Sequence, residues 1–161
     1  MITCFGIRNN RFLEVKYFCS YWLSVHLQSD ADVVVLVDDD SDILKIFKDY
    51  LMARGYVVHA FSSTVSAFEH IKYDPTACDA LITDIRMPEM NGLQLATKVK
   101  ELNSNIKIIL MTAFDFIMSE REAFAKSTPI SGVLELPFSL ERVDELLKSL
   151  KAEKPQHLPA Q

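Results

Sequence analysis

Five short apolar segments, separated by segments with helical periodicity, constrain the fold of this chain more than any other feature. They are rich in β-branched residues, have the length of strands, and cover residues 33–37, 56–61, 80–83, 106–112 and 132–136. They are apolar throughout rather than alternating, which is typical of strands buried on both faces. Such strands, alternating with helices, predict a parallel sheet covered on both sides, the doubly wound α/β class.

The segments between the strands carry apolar residues at helical spacing. Three stripes are clear, at positions 43, 44, 47, 50 and 51, at 95, 96, 99 and 102, and at 140, 143, 146, 147 and 150. A short helix is predicted near 65–71, and a fifth, with fewer apolar positions, over 116–126. Asp40 or Ser41 is expected to cap the first helix, Asn91 the third and Ser139 the last, since side chains of these types accept hydrogen bonds from the first helical turn.

Length and composition fit one folded domain with short flanking segments. The chain has 161 residues, of which 49% are hydrophobic and 24% charged. Residues 1–31 lack a strand or helix pattern, so we expect an N-terminal extension there or an upstream stretch included by a mis-assigned start codon. The domain is predicted over 32–150. A polar tail with prolines, 151–161, is predicted to be disordered.

Charge, cysteines and hydropathy disfavour several classes of protein. The net charge is −5 with no lysine- or arginine-rich run, which argues against direct nucleic-acid binding. The cysteines at 4, 19 and 78 are odd in number and widely spaced, as in a protein of the reducing cytoplasm. The apolar run 17–27 is about half as long as a membrane-spanning helix, so no membrane insertion is expected.

Polar side chains follow three of the predicted strands. Asp38 and Asp39 follow the first, Asp84 closes the third, and Thr112 closes the fourth. The carboxyl ends of strands in a parallel sheet meet at one edge, where ligands bind, so these groups should lie close together. Neighbouring carboxylates raise one another's pKa unless a cation neutralises them. Oxygen ligands alone favour a hard cation such as Mg²⁺.

Two further acids have a simpler interpretation. Asp40 and Asp42 lie at the start of the first predicted helix, where a carboxylate caps the helix or interacts favourably with its dipole. The candidate site therefore contains two of the four clustered aspartates, together with Asp84.

The stretches "VLVDDDSDIL", "LITDIRMPEMNGLQL", "IILMTAF" and "LPF", at these spacings, resemble the receiver domain of two-component response regulators over about residues 32–150. The resemblance implies a flavodoxin-like sheet in the order 2-1-3-4-5 with five helices. It also implies a single-domain response regulator that accepts a phosphoryl group on Asp84 from a sensor histidine kinase or a histidine phosphotransfer protein. Such a protein signals through protein contacts and is not a turnover enzyme, beyond slow autodephosphorylation.

The same resemblance assigns the metal ligands. Asp39 and Asp84 would bind Mg²⁺ directly, with the backbone carbonyl of Arg86, and Asp38 would act through a metal-bound water.

Residues around the metal ligands receive accessory roles from the resemblance. Thr112 would hydrogen-bond a phosphoryl oxygen after transfer, and Ala113 would leave room for that oxygen. Pro88 and Gly92 would shape the turn that brings the third helix close to the site.

The sequence departs from the family pattern after the fifth strand. Receivers usually have a lysine before the proline, and here Leu136 precedes Pro137; the aromatic residue expected three positions earlier is Val133. Phosphotransfer could then rely on Mg²⁺ and Thr112, with Arg86 supplying part of the missing charge, or the domain could be a pseudo-receiver. The resemblance also implies a cis bond between Leu136 and Pro137.

Other functional classes explain less of the sequence. In a haloacid-dehalogenase-type phosphatase Asp38 would be the nucleophile, with Asp40 completing its Asp-x-Asp motif and Thr112 ending a second strand. That family also needs a later lysine and a further acidic pair, but after Thr112 the chain has no acidic pair at a strand end and no lysine in its final predicted strand, and "MPEMNG" stays unexplained. A phosphorylation-independent interaction module remains open. A transcription factor is disfavoured because little chain follows Lys151.

The four histidines, at 26, 59, 70 and 157, are interpreted as structural or solvated because none has a partner at metal-ligand spacing in the sequence.

Overall fold

The structure is a computed structural model that describes residues 31–113 and 129–152. In chain order it contains β1 (Val33–Val37), α1 (Ser41–Met52), β2 (Val57–Phe61), α2 (Thr64–Tyr73), β3 (Ala80–Asp84), α3 (Gly92–Leu102), β4 (Lys107–Ala113), β5 (Gly132–Leu136) and α4 (Leu140–Ala152). The strands form one parallel sheet in the order β2-β1-β3-β4-β5, which confirms the predicted fold class and strand order.

The described residues contain four helices, whereas five were predicted. The missing one is the predicted helix over 116–126, which lies outside the described residues. The predicted extension, except Ala31, and the predicted tail beyond Ala152 lie outside them as well.

The apolar strands are buried because helices cover both faces of the sheet. Val34 and Leu36 point into a core with α1 and α4, and Val35 and Val37 point into a second core with α2 and α3. All four side chains are fully buried, and each contributes about 1.5–3 kcal/mol of transfer free energy. Burial on both faces explains why the strands read as continuous apolar runs.

The register of the strands determines which residues meet at the carboxyl edge. Val37 pairs with Thr83 across β1 and β3, and Asp84 pairs with Met111 across β3 and β4. Asp38 therefore lies beside Asp84, because each follows one residue after the paired Val37 and Thr83. Thr112 lies at the same edge, because it follows Met111, the partner of Asp84.

Local signals in the sequence define the helix starts. The Asp40 side chain accepts hydrogen bonds from the backbone N–H groups of Asp42 (2.8 Å) and Ile43 (3.2 Å), so it caps α1 as predicted. Asn91 and Gln94 form a capping box at the start of α3.

Candidate functional site

The carboxyl edge of the sheet carries a cluster of acids. Asp38 is 6% exposed, Asp84 is half-buried, and Asp39 is exposed. Thr112, on the neighbouring strand β4, is also 6% exposed. The four residues singled out from the sequence thus lie at the same edge, on β4 and at the ends of β1 and β3.

Asp38 is the most buried of the acids. Its pKa is raised to about 6, chiefly by burial; the charges of Asp84, Asp39 and Asp40 also raise it, and a hydrogen bond from the backbone N–H of Asp40 (2.9 Å) opposes the shift. The sequence indicated repulsion between carboxylates as the cause of such a shift. In the structure repulsion contributes, but loss of solvent is the larger cause.

Asp84 responds to the same environment. Burial raises its pKa, and the backbone N–H groups of Ile85 and Arg86 act in the opposite direction. The charge of Asp39 raises the pKa and the charge of the exposed Arg86 side chain lowers it. The positive charge of Arg86 therefore favours the ionised form of Asp84, although the other effects on this pKa are larger.

The loop after Asp84 brings α3 against the site. The backbone N–H of Gly92 donates to the carbonyl of Ile85 at 3.0 Å, and a Cβ atom on Gly92 would collide with the backbone carbonyl oxygen of Asp84. It would also lie 3.1 Å from the hydroxyl of Thr83, which donates to that same carbonyl at 2.9 Å. Thr83 was not singled out from the sequence, where its only signal is its position before Asp84.

The same loop is tied to α2. The hydroxyl of Thr64 donates to the carbonyl of Met90 at 2.8 Å, and the N–H of Met90 donates to the carbonyl of Pro88 at 2.8 Å. Between them Glu89 has φ +65°, a left-handed conformation that few residues other than glycine adopt readily. The loop is therefore held at several points around the predicted accessory residue Pro88.

The lysine position of the family is occupied by an exposed apolar side chain. Leu136 is the last residue of β5 and is 40% exposed. Its backbone pairs in register with that of Ala113 on β4. Val133 is half-buried and pairs with Leu110. The bond between Leu136 and Pro137 is cis, as predicted.

The acid cluster is chemically suited to a hard divalent cation. Two of its carboxyl groups, those of Asp38 and Asp84, have raised pKa values, mainly because they are buried and to a smaller degree because neighbouring carboxylates repel them. Within 31–113 and 129–152, no group of three or more His, Cys, Asp or Glu side chains is arranged to hold a metal ion. In the predicted metal set only Asp39, Asp84 and the backbone carbonyl of Arg86 would bind the ion directly, and Asp38 would act through a metal-bound water.

Among the helices of the described part of the chain, none is both long and apolar enough to cross a bilayer.

The described part of the chain is thus a doubly wound α/β domain with an acid pair after β1 and an aspartate at the end of β3, at the edge of the sheet where this class of fold binds ligands. Residues 34–151 match the response regulator receiver domain family. The chain belongs to that family.

Relatives and solved structures agree with this assignment. The chain is similar to the response regulator receiver protein CpdR of Brucella abortus, at 33% identity over 120 residues, 74% of this chain and 97% of CpdR. It is 31% identical to the response regulator protein TodT of Pseudomonas putida over 137 residues, 85% of this chain and 57% of TodT. A response regulator receiver protein from Sinorhizobium medicae superposes with a TM-score of 0.69 at 28% identity, covering 78% of this chain and 98% of that one.

Proposed function

We propose that this chain accepts a phosphoryl group on Asp84 and signals through protein contacts. The observation that most supports this is the grouping of Asp38, Asp84 and Thr112 at one edge of the sheet, in a chain that belongs to the receiver family. The carboxylate of Asp84 would attack the phosphorus of a phosphohistidine. A phosphorus–oxygen bond forms, the phosphorus–nitrogen bond breaks, and the imidazole leaves with the bonding electrons and takes up a proton.

Asp39, Asp84 and the carbonyl of Arg86 would hold Mg²⁺, with Asp38 acting through a metal-bound water. The bound ion neutralises charge on the phosphoryl oxygens during transfer. Asp84 is half-buried, so part of the residue remains accessible to a phosphodonor.

Thr112 and Arg86 would complete the phosphoryl site. The Thr112 hydroxyl would donate to a phosphoryl oxygen after transfer, and the predicted role of Ala113 is to leave space for that oxygen. Arg86 would supply part of the charge that Leu136 lacks, and its effect on the pKa of Asp84 supports this. Losing a preorganised cation next to developing charge costs about 3 kcal/mol, roughly a hundredfold in rate, so transfer is expected to be slow for a receiver.

The proposed partners are a sensor histidine kinase or a histidine phosphotransfer protein, as donor, and a downstream protein as target. Receiver domains as a family are phosphoacceptor modules of two-component signalling. We place the activity in the cytoplasm, where such donors act, and propose that the working unit is 32–150, with 1–31 and 151–161 outside it.

A pseudo-receiver that binds its partner without phosphorylation is the second candidate. The exposed Leu136 in the place of a lysine favours it, because an apolar side chain there cannot pair with a phosphoryl group.

Intact mass after incubation with acetyl phosphate separates the two candidates, with Asp84→Asn as the control. An adduct that requires Mg²⁺ and is lost in the variant supports the receiver. Absence of an adduct while Mg²⁺ binds would leave the pseudo-receiver, for which Asp84→Asn should leave partner binding unchanged.

A further inference from the structure

Two histidine rings lie together at the edge of the sheet. His59, on the edge strand β2, and His70, on α2, have ring centroids 4.7 Å apart and ring planes at 34°. His59 is half-buried and His70 is exposed, so solvent reaches the pair from one side. They meet because α2 folds back against β2, and their spacing in the sequence gives no sign of this contact.

The separation of the rings matches that of two imidazoles on one metal ion. A Zn–N bond of about 2.05 Å puts the ring centroid about 3.2 Å from the ion. Two such rings have centroids about 4.5 Å apart at the 90° angle of a square or tetragonal site and about 5.2 Å apart at the tetrahedral angle. The observed 4.7 Å lies between these two values.

The surroundings of His59 favour the form of histidine that binds metals. Only neutral imidazole has a free lone pair. Burial, followed by the neighbouring charges of His70 and Lys48, lowers the pKa of His59 and so favours its neutral ring. The Phe61 ring also contacts the pair, with its centroid 5.0 Å from that of the His70 ring.

We propose that His59 and His70 form a two-histidine site for a divalent transition-metal ion such as Zn²⁺ or Ni²⁺, with water completing the coordination. Imidazole selects borderline ions of this kind, whereas the carboxylates and carbonyl of the acid pocket select Mg²⁺. The two sites therefore differ in ion preference, and the histidine site does not depend on the function proposed for Asp84. A bound ion would join the edge strand β2 to helix α2.

The test is a Zn²⁺ titration by calorimetry of the full chain without an affinity tag, in the presence of saturating Mg²⁺. One equivalent should bind, and His70→Gln and His59→Gln should each weaken binding at least tenfold. His26→Gln and His157→Gln are matched controls and should bind like the parent. In NMR spectra, the imidazole resonances of His59 and His70 should shift together with Zn²⁺.

His70→Gln is the decisive variant because His70 is exposed and its replacement should leave folding intact, which circular dichroism checks. Binding within twofold of the parent in this variant would overturn the proposal and leave two stacked rings without an ion. Displacement of Zn²⁺ by Mg²⁺ would overturn it as well, because the ion would then lie in the acid pocket.

Discussion

Gly92→Ala should slow phosphorylation far more than its effect on stability explains. The new Cβ would collide with the carbonyl oxygen of Asp84 and come within 3.0 Å of the carbonyl carbon and 3.1 Å of the Thr83 hydroxyl. The atoms that the Cβ would meet belong to the Asp84 backbone and to the fully buried Thr83, so no flexible side chain can move aside to relieve the collision. Restoring an ordinary carbon–oxygen contact of about 3.3 Å therefore requires α3 and Asp84 to separate by about 1 Å.

A displacement of that size affects stability and chemistry differently. Overpacking of this kind costs about 1–3 kcal/mol in the free energy of unfolding. Misplacing a reacting group by about 1 Å costs about a hundredfold in rate, so Gly92→Ala should lower the rate of adduct formation with acetyl phosphate about a hundredfold. Intact mass against time measures the rate, and urea unfolding measures the stability.

Gly55→Ala is the matched control. Gly55 has φ +90° and open space around the position of a Cβ, so alanine is strained there by about 1 kcal/mol without touching the acid pocket. It should lose stability and keep the parental rate. The reasoning is refuted if Gly92→Ala is phosphorylated as fast as the parent, or if Gly55→Ala slows to the same degree.

Three further predictions concern charge. Leu136→Lys should speed adduct formation up to about a hundredfold in the same mass assay, because it restores a cation beside the phosphoryl group. An unchanged rate would mean that the lysine side chain does not reach the site. Arg86→Ala should slow adduct formation and Arg86→Lys should largely preserve it; parental speed in the alanine variant would rule out the electrostatic role. Burial raises the pKa of Asp144, but hydrogen bonds from Lys148 (2.7 Å) and Tyr56 (3.1 Å), with the charges of Lys148 and Arg54, hold it below its usual range. Its contribution is therefore present above the unfolded pKa of about 3.9 and is lost as pH falls through the lower folded value. Asp144→Asn should cost about 1 kcal/mol in urea unfolding at pH 7 and less near pH 3; an equal cost at both pH values would contradict this.

Much of the fold follows from local patterns in the sequence. Continuous apolar runs identified the strands because both faces are covered, and Asp40 identified the start of α1 because capping needs only neighbouring residues. The strand order followed from the family resemblance and not from the patterns themselves. The acids at the carboxyl edge were predictable because every parallel strand ends there.

Contacts between distant segments could not be predicted in this way. His59 and His70 meet only because α2 folds back on β2. Asp144 is 8% exposed, and although its partner Lys148 lies four residues further along the same helix, its partners Tyr56 and Arg54 precede it by about ninety residues. Burial as the main cause of the raised pKa of Asp38 also depends on packing and not on the run of aspartates.

Because Gly92 lies against Asp84, a movement at the acid pocket would tilt α3 and displace the far end of this helix. The helix has 11 residues and so is about 16 Å long, with its first residue resting on the backbone of Asp84. A tilt of about 5° at that contact would displace its far end by about 1.4 Å. There the side-chain amide of Asn103 donates to the carbonyl of Pro75 at 2.9 Å, so a small movement at the acid pocket would strain a hydrogen bond at the opposite edge of the sheet.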